Sequence, residues 1–165
     1  MFLHIAEGLI LSILISLLAG ESFTLSFIFF GVSAALILDL DFFVSWIKSG
    51  CKINKDILNH RELFHKPLLI ALIGAAGFYY LWGFGFAFLW FLNIVMHGIN
   101  DEFSDDLGGV LWLWPITKKG WLSKRVDAPI RLRQLEEECS INGKTAREFL
   151  IFLAALELSL LRLFV

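Results

Sequence analysis

Charge is scarce in this chain. Asp, Glu, Lys and Arg together make up 18% of its 165 residues, against 58% hydrophobic. A soluble domain of this length could not bury that much apolar surface, and a mean hydropathy of +0.73 places the chain among membrane proteins. Cysteine is scarcer still. Cys51 and Cys139 stand alone in polar stretches, which argues against a disulfide scaffold or a CxxC zinc knuckle. No basic n-region precedes the first apolar segment, which carries His4 and Glu7 instead, so no cleavable signal peptide is expected. A glycine-rich phosphate loop, a Ser-His-Asp pattern and a nucleotide fingerprint are missing, as are internal repeats and low-complexity tracts. The basic residues of the polar 101–147 region are interleaved with acids, so there is no strong nucleic-acid footprint.

What the chain does have is five long apolar segments. The first runs from about Leu3 to Ala19, and Gly20-Glu21-Ser22 breaks it. The second runs from about Phe23 to Leu38 and closes on Asp39-Leu40-Asp41. A short aromatic stretch, Phe42 to Ile47, is expected at the membrane interface, and a lysine-bearing loop follows. The third opens around His65-Lys66-Pro67, where proline suits a first helical turn, and ends near Trp82. Gly83-Phe84-Gly85 reverses the chain into the fourth, which runs to about Ile99. The fifth, Phe149 to Val165, contains Glu157 and Arg162, which are costly in mid-bilayer; its length favours spanning, with an interfacial position as the alternative. The reading is all-α: one polytopic helical bundle over 1–165, with a four-helix transmembrane core (1–100), a cytoplasmic or interfacial polar segment (101–147) and a C-terminal helix (148–165).

Alternate crossings bring the start of segment one, the end of two, the start of three and the end of four to one face. Every basic residue except Arg162 lies in the two long connections on that face, and the turns at Gly20 and Gly83 carry none. By the positive-inside rule that face, with the N-terminus, is cytoplasmic at an inner membrane.

Metal-ligand side chains gather on the same face. His97 and Asp101 are four residues apart, so on a helix they project together and can bind one cation. Asp39 and Asp41 close segment two pointing about 200° apart; Asp39, first after the apolar run, is the preferred ligand, and a solvated helix end is the bland alternative. His60, Arg61 and His65 open segment three. The guanidinium can grip a phosphate at two points, and either imidazole can ligate a metal or act as an acid or base. His4 lies near the start of segment one with Glu7 on the same face. Three His with two or three carboxylates fit Zn²⁺, Mn²⁺ or Fe²⁺, and the set suits two ions sharing a carboxylate and activating water toward a phosphoester.

These spacings resemble those of the YdjM-like, LexA-regulated inner-membrane family of metal-dependent hydrolases. The resemblance covers roughly His4 to Pro115. It rests on His4, Asp39-x-Asp41, His60-Arg61-x3-His65, His97-x3-Asp101, Gly109-Val110 and Trp114-Pro115. The chain departs from the family pattern at Leu38, Phe42, Phe64 and Lys66, where proline, histidine and a nearby serine or threonine are usual. The family is distantly similar to zinc-dependent phospholipase C and the single-strand-specific zinc nucleases. That likeness implies His4, Asp39, His65, His97 and Asp101 as metal ligands, with Asp101 bridging and acting in catalysis. It places His60 and Arg61 beside the metals or on the phosphate. Asp105 or Asp106 would replace two later nuclease ligands.

The sequence thus predicts a divalent-metal hydrolase, holding two Zn²⁺ or Mn²⁺ ions, that acts on a lipid or lipid-linked phosphate at the cytoplasmic membrane surface. The alternatives are a metal-ion transporter or sensor and a non-enzymatic membrane adaptor. Transport calls for polar residues continuing across the bilayer, and segments one to four are expected to show no such trail.

Overall fold

The structure, a computed structural model, describes residues 2–50, 66–103, 110, 112–113 and 143–164. Among the described residues there are helices and turns but no strand. Helix α1 spans Phe2–Ala19, α2 Leu25–Leu36, α3 Leu40–Lys48, α4 Pro67–Trp82, α5 Phe84–Phe103 and α6 Gly143–Phe164, with a 3-10 turn at Ile37–Asp39 between α2 and α3.

Local chemistry sets the boundaries. Gly20, at φ 67°, lets α1 stop without steric strain. Thr24 caps α2 by accepting a hydrogen bond from the Phe27 N–H at 3.2 Å. Pro67 opens α4. Gly83, at φ 90°, is the whole link between α4 and α5, a tighter reversal than the three residues the sequence suggested. Two further differences bear on the site. Segment two breaks at Leu36 and turns through Asp39 into a separate helix, α3, instead of running on to Leu38. Segment four continues past Ile99 to Phe103, so the His97–Asp101 pair lies within one helix.

Contacts fix an up-and-down arrangement. Against α1, α2 runs antiparallel: a Cβ on Gly8 would sit 2.7 Å from the Val32 Cα, and Ile15 packs with Phe27 and Leu89. Trp90 of α5 donates its indole N–H to the Ile70 carbonyl of α4 at 3.1 Å, and near the tight turn Phe78 and Trp82 stack with ring centroids 5.3 Å apart. Helix α6 follows α1 in the same direction, with Phe2 against Phe149 and Phe152 and Ala6 and Leu9 against Ala155. One end of the core therefore holds the start of α1, the end of α2, the start of α4 and the end of α5.

The outside of the bundle is as apolar as the inside. Leu18, Leu25, Phe29, Ile73, Tyr80 and Leu161 are each more than half exposed, far from what water-facing surfaces tolerate. By length and composition one described helix, α1, qualifies as a membrane span, and 33% of it is buried within the protein. Leu25–Asp39 and Pro67–Trp82 are apolar but shorter. Helix α5 is 20 residues long, and its polar residues Asn93, His97, Asn100 and Asp101 lower its hydropathy. One expectation is corrected: polar groups do enter the core. Ser12, Ser16 and Asn93 are all buried. Ser12 and Ser16 turn their hydroxyls back onto the carbonyls of Gly8 and Ile13 in their own helix, the usual solution for a hydroxyl inside a helical core.

Candidate metal centre

His97 is fully buried at the end of the core where α1, α2 and α5 converge. Its Nδ1 lies 2.6 Å from the Ala35 carbonyl oxygen. A carbonyl only accepts, so Nδ1 carries a proton, and in the neutral form of the ring the lone pair is on Nε2. A backbone partner of this kind fixes the tautomer and orientation of a metal-ligating histidine.

Nε2 has no hydrogen-bond partner although it is buried. Two carboxylates face it, Asp39 Oδ1 and Asp101 Oδ2, each at 3.5 Å. That separation is too long for an N–H···O bond. It matches the edge of a coordination tetrahedron instead: ligand bonds of about 2.0–2.2 Å set ligand atoms roughly 3.3–3.6 Å apart. A buried nitrogen left unsatisfied costs about 1–3 kcal/mol, and a cation between it and the carboxylates would remove that cost while neutralising the acids.

His4 completes the group. Its ring stacks on His97 with centroids 3.9 Å apart and planes 10° from parallel. Ligand atoms of His4, His97 and Asp101 all lie within 4.8 Å of one another, close enough to hold one metal ion. Asp39 lies outside that mutual 4.8 Å group but approaches His97 at 3.5 Å, which makes it the candidate for a fourth donor. The donor set is two imidazoles and two carboxylates, which fits zinc or manganese in ligand type.

Four of the residues expected from sequence, His4, Asp39, His97 and Asp101, are thus brought together from two helices, α1 and α5, and the 3-10 turn between α2 and α3. His60, Arg61 and His65 lie outside the described residues, as do Asp105, Asp106, Gly109, Trp114 and Pro115, and the Asp41 side chain is likewise outside them. The sequence reading assigned no role to two neighbours. Glu7 lies 3.2 Å from His4 Nδ1, and its other carboxylate oxygen accepts from Asn100 Nδ2. Their spacing was a visible signal, since Glu7 is three residues from His4 and Asn100 adjoins Asp101. The Ala35 carbonyl had no signal at all, because any residue supplies a carbonyl.

Val110 and Trp112 pack on the same end. Glu102 accepts a hydrogen bond from the Val110 N–H at 2.8 Å, and Val110 is fully buried. Gly98 lies between Pro67 and Trp112, each of which would be 3.0 Å from a Cβ added there. Both Pro67, at the start of α4, and Trp112 therefore pack on α5 one residue past His97.

No curated protein and no solved structure matches the chain. The family model described as "YdjM inner membrane protein" matches residues 1–163, nearly the whole chain. By that match, which spans every residue of the histidine–carboxylate cluster, the chain belongs to the YdjM inner membrane protein family.

Proposed function

We propose that the chain is a membrane-embedded metal-dependent hydrolase acting on a phosphoester at the cytoplasmic face of the inner membrane. The observation that carries this reading is the buried, unsatisfied His97 Nε2 held 3.5 Å from each of two carboxylates.

The membrane placement rests on the bundle's two ends. Tyr79, Tyr80, Trp82 and Phe84 crowd the Gly83 turn, each more than half exposed, as aromatic side chains do at a membrane interface. From Phe84 to Asp101 the helix rises roughly 26 Å, close to the roughly 30 Å of a hydrocarbon core. The cluster then sits at headgroup depth on the other side. Helix α3 leaves from the residue after Asp39 and exposes Leu40, Phe43, Val44 and Ile47, one apolar face at helical spacing that suits a helix lying in the interface. Four crossings by α1, α2, α4 and α5, and a fifth by α6, follow from this placement.

A divalent ion held by His4, Asp39, His97 and Asp101 would acidify bound water and offset charge developing on a phosphate. Of the chain's own residues, His97 turns Nε2 toward the site because its Nδ1–H donates to the Ala35 carbonyl. Asp39 and Asp101 supply the negative charge that selects a cation. Arg61, ahead of α4 in sequence, is the proposed grip on a nonbridging phosphate oxygen, with His60 beside it. His65 would complete the ligands of a second ion, and Asp101 would be shared. Water adds to phosphorus, the ester P–O bond breaks, and the leaving oxygen takes a proton. A lipid or lipid-linked phosphate fits best, because its headgroup lies at the depth of the site.

Detergent-purified protein, supplied with zinc or manganese, should release phosphate or headgroup from a lipid phosphoester, and chelation or His97→Ala should abolish the release. Turnover unaffected by both would refute the hydrolase. Metal flux into proteoliposomes without hydrolysis would favour transport.

A further inference from the structure

We infer that Glu7 is the positioning residue of the metal centre: it fixes the ring of His4 and ties that ring, through Asn100, to the helix end carrying Asp101. The inference rests on the metal-centre reading and assigns a role within it.

Glu7 is the one charged residue in α1. Its side chain is 16% exposed, that of His4 13%, so both are largely withdrawn from solvent. An acid in so apolar a helix is costly unless its oxygens are engaged, and both are. Oε2 lies 3.2 Å from His4 Nδ1; a carboxylate only accepts, so the imidazole donates. Oε1 accepts from Asn100 Nδ2 across the α1–α5 interface. In the neutral form of the His4 ring the lone pair is then on Nε2.

The two imidazoles are therefore held alike. Each is tied at Nδ1, His97 by the Ala35 carbonyl and His4 by the Glu7 carboxylate, and each keeps Nε2 for a cation. Stacking on His97 fixes the plane of the His4 ring, and Glu7 fixes its rotation within that plane. A carboxylate partner also fixes the tautomer and orientation of the imidazole it holds. The Asn100 contact does something the other cannot. It locks the start of α1 against α5 one residue before Asp101, so ligands from distant parts of the chain keep one geometry.

Zinc affinity of the full-length, detergent-purified protein, measured by competition with a chromophoric chelator, tests this alongside the thermal midpoint of the metal-free protein. Glu7→Ala should weaken zinc binding about ten- to a hundredfold; the lost tie to Asn100 should also lower the metal-free midpoint, so the affinity is the deciding readout. Glu7→Gln keeps an oxygen for His4, and Asn100 can flip its amide to meet the new one, so it should lose clearly less than Glu7→Ala. Equal loss in both variants would make Glu7 a ligand and overturn the positioning role. Wild-type zinc affinity in Glu7→Ala, with a lowered metal-free midpoint, would leave only a structural strut and overturn it as well. The metal centre itself is judged separately by His97→Ala. If that variant loses zinc while Glu7→Ala does not, the centre stands and this inference falls.

Discussion

The rings of His4 and His97 lie face to face, 3.9 Å between centroids and 10° from parallel, although one begins the first helix and the other nearly ends the fifth. Taken with Ile15 against Leu89 at mid-bundle, that contact sets α1 and α5 antiparallel. The same register sets Glu7 against Asn100 at the site. The cluster is thus a product of helix packing rather than of any local motif.

Asp39→Asn removes the charge facing His97 Nε2 while keeping the shape, and should weaken zinc binding at least as much as the ten- to hundredfold loss typical of an outer partner. Asp41→Asn, two residues on, should leave affinity unchanged. Isothermal titration of both variants decides between the two acids, and equal losses would contradict the assignment.

Metal binding should also stabilise the fold. A ligand that binds only the native state at a hundred times its dissociation constant adds about 2.7 kcal/mol, which for a chain of this size raises the melting midpoint by about 5–10 °C. Thermal melts with zinc and with chelator should differ by that amount in the wild type and coincide in His97→Ala.

Helix packing yields a contrast between two glycines. In lipid, helices associate through close approach and dispersion rather than through burial from water. A Cβ on Gly31 would run into Ser12 Oγ and lie 2.9 Å from the Gly8 carbonyl oxygen. Gly31→Ala should therefore cost about 1–3 kcal/mol. Adding Ser12→Ala should not restore it, because the backbone oxygen stays. Gly77 meets nothing within 4 Å, and Gly77→Ala should be neutral or stabilise by up to about 1 kcal/mol. Denaturation midpoints in detergent would rank the three variants.

Orientation can be read by labelling. In a background with Cys51 and Cys139 replaced by serine, Ser22→Cys, beside the Gly20 turn, should react with an impermeant maleimide in intact cells. Ser49→Cys, at the end of α3, should react only after permeabilisation. The reverse pattern would put the metal cluster on the outer side.

Much of this was legible in the sequence because the relevant signals are periodic. Apolar runs broken at Gly20 and Gly83 marked the helices, and the four-residue spacing of His97 and Asp101 placed both on one helical face. What escaped depends on register between helices, which no single segment encodes. The Ala35 carbonyl that orients His97 and the Asn100 amide that reaches Glu7 are both tertiary choices. The break between Leu36 and Leu40 was hidden because Ile37, Leu38 and Leu40 continue an apolar pattern through it. His60, Arg61 and His65, read from sequence as phosphate and metal contacts, lie outside the described residues, so their roles rest on the proposal.

The central claim is that His97 and Asp101 hold a metal ion. Its most direct test is the metal content, by elemental analysis, of protein purified from cells grown with ample zinc and manganese, comparing wild type with the His97→Ala/Asp101→Ala double variant at equal helicity by circular dichroism. The account predicts bound metal in the wild type, at a fixed ratio to protein, and none in the double variant. Equal metal in the two proteins, or none in the wild type, would contradict it.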